Sequence, residues 1–69
     1  MSSISYWNSL SYNEKLYFVI QLASEAKRLN DYKTSILVMK TNMNNDSAFM
    51  DLFIKALRLV FKDETITAT

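Results

Sequence analysis

The chain contains no glycine, no proline, no cysteine and no histidine. Each absence removes a class of chemistry. Without cysteine there is no disulfide and no thiol nucleophile; without cysteine and histidine together there is no Cys/His zinc site. Without histidine there is no imidazole base, and without glycine no phosphate-cradling loop. Strong net charge is missing too: eight Lys+Arg stand against seven Asp+Glu, leaving +1, which offers no general attraction to nucleic acid. The longest apolar run, Leu16 to Ile20, falls far short of the roughly 18–20 residues of a membrane-spanning helix. The first residues, Met1 to Ser5, lack the basic and apolar regions of a signal peptide. These features give the expectation of a cytoplasmic, non-enzymatic protein with no metal or cofactor.

What is present is apolar. Hydrophobic residues make up 49% of the 69 positions and aromatics 13%, too many for a disordered tail. The length suits one domain, residues 1–69. A domain this small commonly draws stability from disulfides, a metal or a second chain. With disulfides and a Cys/His metal site excluded, self-association or a bound partner is the expected route, and a homodimer is predicted.

With neither glycine nor proline, breaks are marked by Asn, Asp and Ser, since Asn is the non-glycine residue best suited to left-handed turns. Asn30-Asp31 and Asn44-Asn45-Asp46-Ser47 divide the chain, with a weaker break near Ser9 to Ser11. Residues 1–10 read as a lead segment. Ser11-Tyr12-Asn13-Glu14 is a capping box. Tyr12, Leu16, Val19, Ile20, Ala23 and Ala26 follow at helical spacing, widened by Phe18, Leu22 and Leu29, and predict a helix over 12–29. Tyr32, Ile36, Met39 and Met43 predict a second helix over 32–43, capped by Asp31. A third, capped by Asn45 or Asp46, carries apolar residues from Phe49 to Phe61 over an arc of about 220°. Only Asp51, Lys55, Arg58 and Lys62 fill its polar strip. Two short helices can hardly cover so wide an arc, which points to a central helix or an interface. Residues 63–69, polar and Thr-rich, are expected to fray. The predicted fold is all-α: a three-helix unit, with an antiparallel hairpin and a third apolar helix folded across it.

No constellation suggests catalysis. Asp63 and Glu64 are adjacent, and sequence neighbours do not face each other on a helix. Glu14 reads as a cap, and no serine has a base beside it. Lys55, Arg58 and Lys62 share a face with Asp51, and Lys27, Arg28, Lys33 and Lys40 form a second cationic group. Both read as solvated faces, with none of the base-reading residues of a recognition helix. The polar strip of the third helix is too thin for a membrane-surface helix. The aromatics are abundant for so small a core, and Trp7 and Tyr17 are left open between core and partner-facing positions. The expected partner-binding set is Leu37, Val38, Phe53, Leu57, Val60 and Phe61.

Ala23-x-x-Ala26-x-x-Leu29-x-x-Tyr32-x-x-Ser35, an Asn-rich turn, and Arg58-x-x-Phe61 together resemble the ANR family, the small AraC Negative Regulators of bacterial pathogens. The resemblance spans roughly residues 18 to 62. Ser35 stands where the family commonly has Ala, Val38 and Ile54 where it has Trp, and Lys62 where it has Cys. The Ala/Leu/Tyr portion is also similar to one tetratricopeptide hairpin, with Asn30 in place of the turn glycine. The ANR resemblance implies a negative regulator of transcription that binds an AraC/XylS-type activator by protein contact and damps virulence genes. A nucleoid protein is a further partner it implies, and direct sequence-specific nucleic-acid binding is not expected. The composition fits equally a small chaperone or a phage-encoded inhibitor that binds a host protein through an apolar helix face.

Overall fold

A computed structural model describes residues 2–69. Four helices follow in order: α1 (Ser3–Ser9), α2 (Tyr12–Leu29), α3 (Tyr32–Asn42) and α4 (Ser47–Phe61), with no strand among the described residues. The all-α expectation holds, and α2, α3 and α4 lie where the spacing of apolar residues places them. The three-helix count does not: the lead segment contains a helix of its own.

Each of the three longer helices begins and ends by one device. The Ser11 hydroxyl accepts from the Glu14 amide at 3.2 Å while the Glu14 carboxylate accepts from the Ser11 amide at 2.7 Å, completing the capping box. Asp31 accepts from the Thr34 amide and Asp46 from the Phe49 amide, at 3.1 and 2.9 Å. These side chains satisfy amide donors that a helix start leaves without partners. At the other end, Asn30, Asn44 and Lys62 stand at φ of 55°, 53° and 53°. Beyond each, an amide reaches back five residues in the Schellman pattern: Asp31 to the Ala26 carbonyl, Asn45 to Lys40, Asp63 to Arg58. A chain without glycine thus makes three left-handed helix ends, two of them with Asn. The third, at Lys62, is not foreshadowed by any turn residue.

Helix α4 is the centre. It packs most extensively on α2, and its Phe49, Met50, Phe53, Ile54, Ala56 and Leu57 are all buried. Val19, Ala23 and Ala26 of α2 face it; the two alanines let the backbones approach closely. Ile36 and Met43 close the α3 side.

The wide apolar arc of α4 is covered by the two ends of the chain. In α1, started by Ser2 accepting from the Ser5 amide, Trp7 is 1% exposed. Its ring meets Phe49 edge-on at 4.9 Å and Phe18 at 5.9 Å. Phe49 in turn stacks on Phe53 at 5.6 Å. At the far end, residues 63–69 do not fray. Asp63 accepts from the Thr65 amide and hydroxyl at 2.9 and 2.6 Å, Ile66 is buried, and Arg58 Nε donates to the Ile66 carbonyl at 2.7 Å. One buried isoleucine and one charge-assisted hydrogen bond hold the segment between α3 and α4.

Two stability measurements follow. Trp7→Ala removes an indole from a closed site and is expected to cost about 3–5 kcal/mol in urea unfolding, whereas Tyr17→Ala, at an exposed position, costs less than about 0.5 kcal/mol. Lys62→Gly relieves a left-handed conformation and is expected to raise stability by about 1 kcal/mol, a gain that Lys62→Ala does not give.

Candidate interaction surface

The structure separates the six residues expected to bind a partner. Phe53 and Leu57 are fully buried, with no surface left to offer. These two belong to the core of the fold, where α4 packs most extensively on α2. Val60 and Phe61 are half-buried at its C-terminal end, and the Phe61 ring meets Tyr32 edge-on at 5.2 Å. Lys27 Nζ stands 5.0 Å from the centre of the Phe61 ring, in reach of a cation–π contact. Leu37 and Val38, at 64% and 47% exposure, are open to solvent. They lie on α3, whose Tyr32, Ile36, Met39 and Met43 side faces the core. The structure therefore does not gather the six into one patch.

Trp7 belongs to the core, and Tyr17, 68% exposed, to the surface. Tyr17 lines a groove of about 400 Å³ between α1 and α2 with Tyr6, Leu10, Asn13, Glu14, Phe18 and Gln21. Tyr6 and Leu10 were not among the expected contacts. The signal that could have found them is the spacing Ile4, Trp7, Leu10 after a Ser2 cap, an apolar residue every third position.

A second groove, about 500 Å³, runs between α3 and the tail. Tyr32, Ile36 and Ile66 contribute its apolar surface, with Lys33, Leu37 and Lys40 along the α3 wall and Thr65, Thr67, Ala68 and Thr69 opposite. A third, about 390 Å³, lies on the other side of the tail along Met50, Asp51, Ile54, Lys55 and Arg58. Arg58, placed by sequence on a solvated cationic strip, instead anchors the tail.

Charge is dispersed. The one ion pair among the described residues is Arg28 with Glu25, a turn apart on α2, and no three acidic, histidine or cysteine side chains cluster as metal ligands. Glu25 is held below its usual value by the Arg28 guanidinium, and three other carboxyls are shifted where they serve the backbone. Glu14 is held below its usual value by the Ser11 amide and hydroxyl, Asp31 by the Thr34 amide, and Asp63 by the Thr65 hydroxyl and amide. Among the described residues, no buried polar side-chain atom lacks a partner and no helix is long and apolar enough to cross a membrane. Comparison with protein-family models, with curated proteins and with solved structures gives no significant match.

The four lowered carboxyls set the pH dependence. Each favours its ionised form in the fold, so its contribution is complete above the unfolded value, about 4 for these groups, and is lost as pH falls through the lower folded value. Thermal melts are expected to hold a plateau above about pH 5 and to fall below about pH 4. Glu14→Ala lowers the plateau and flattens the acid limb.

Proposed function

We propose that the protein is a negative regulator of transcription that works by contact with another protein, an activator of the AraC/XylS type, in the cytoplasm. The observation that carries this reading is the exposure of Leu37 and Val38 side by side on α3, a helix whose opposite face is already committed to the core. Large aliphatic side chains held open on a rigid helix suit a protein partner. The near-neutral charge suits it as well, since binding to nucleic acid leans on many phosphate contacts. The target class comes from the resemblance of the Ala23 to Phe61 pattern to the ANR family. Docking on the activator would block its dimerisation or its use of DNA. Leu37 and Val38 lead the contact set, with the accessible edges of Val60 and Phe61 as flanking contributors. Self-association through the same open apolar positions belongs to this reading.

The test is a tagged pull-down from the host cytoplasm with mass spectrometry of the eluate. An AraC-type activator is expected with the unaltered chain and is expected to be lost with Leu37→Glu/Val38→Glu, a variant that keeps its helical circular dichroism. A secretion subunit or defence protein in its place would favour a small chaperone or inhibitor. Undiminished capture of the activator by the folded double variant would remove α3 from the contact.

A further inference from the structure

The groove between α3 and the tail has a chemistry of its own. Lys33, Leu37 and Lys40 are spaced i, i+4, i+7 on one side of α3, so a cation stands before and after an open leucine. The two lysines are about 10.5 Å apart along the helix axis. Tyr32, Ile36 and the buried Ile66 supply apolar surface beneath them. None of the ten residues lining the groove is acidic. The nearest acid in sequence, Asp31, is occupied as the α3 cap, and neither lysine has an ion-pair partner among the described residues. The side chains opposite, of Thr65, Thr67, Ala68 and Thr69, carry no charge.

We propose that this groove binds a short acidic segment of a protein partner, in which one apolar side chain is bracketed by carboxylates. The apolar side chain packs on Leu37 and Ile36, and the carboxylates pair with Lys33 and Lys40. In an extended segment the bracketing carboxylates stand about three to four residues apart to match the lysine separation. Charge complementarity selects this occupant. A basic segment is repelled at both ends of the groove, and a neutral apolar one leaves both ammonium groups beside apolar surface without a counter-charge. Two cations around a leucine also suit an acidic peptide better than a nucleic-acid backbone, which would present a row of phosphates to a site with an apolar centre. The inference rests on the reading that the protein acts by protein contact, and it names the chemistry of the segment recognised.

The experiment is fluorescence anisotropy of the full chain with two labelled synthetic peptides, one with a leucine between two aspartates set three residues apart and one with lysines at those two positions. The acidic peptide is expected to bind at least about tenfold more tightly than the basic one, and to weaken by a similar factor between about 50 and 300 mM salt. Lys33→Glu/Lys40→Glu is expected to abolish that preference, with Lys33→Gln/Lys40→Gln as the second variant should charge reversal unfold the chain. Replacing the peptide leucine by serine is expected to weaken binding as well. Amide shifts confined to residues 33–40 and 65–69 would locate the site. Equal binding of both peptides, an unchanged affinity in the folded lysine variants, or an oligothymidylate that binds as tightly and displaces the peptide would overturn the proposal. Capture of an activator through Leu37 and Val38 without acidic-peptide binding would sink this groove and leave the functional reading standing. Peptide binding without any activator captured would do the reverse.

Discussion

The edge-on contact between Trp7 and Phe49 is what the rest of the structure depends on. Helix α4 carries more apolar surface than two neighbouring helices can cover, and Phe49 lies in its first turn. The indole brings α1 onto it, and Phe18 of α2 touches both rings at 5.9 and 6.5 Å. A seven-residue helix has little stability by itself. Here α1 exists because its one large buried side chain is taken up by rings from two other helices. The aromatic cluster then fixes the angle between α1 and α2 and opens the Tyr-lined groove beside it.

Capping does locally what burial does globally. With no glycine available, the chain turns at left-handed asparagines, and with no proline it starts its helices by side-chain acceptors. Two of the carboxylates at helix starts, Glu14 and Asp31, are also held below their usual values by the amides they accept from. Electrostatics in this molecule therefore defines ends of helices more than it builds sites, and the unpaired cations along α3 stand out against that background. The surface chemistry of the protein is concentrated on a helix whose inner face has no more to give the core.

Much of the fold was legible in the sequence, because the signals for α2, α3 and α4 are local: a capping box, 3.6-residue spacing and Asn-rich stops. The span 12–29 is Tyr12–Leu29 in the structure, and 32–43 is Tyr32–Asn42. The excess of apolar surface on α4 was also legible, but not what covers it. Trp7 and Ile66 act through partners dozens of residues away in sequence, and the single buried isoleucine of the polar tail leaves no periodicity to read. Of the expected contact residues, Leu37 and Val38 fell off the apolar stripe of their helix and are exposed. Phe53 and Leu57 lay on the stripe of theirs and are core. Position relative to the stripe therefore carried more information than hydrophobicity.

The closing pieces of the core come from opposite ends of the chain, Trp7 early and Ile66 late, with Arg58 fastening the latter to α4. Where either piece comes loose, α4 presents to its surroundings a strip of apolar helix that the closed molecule hides.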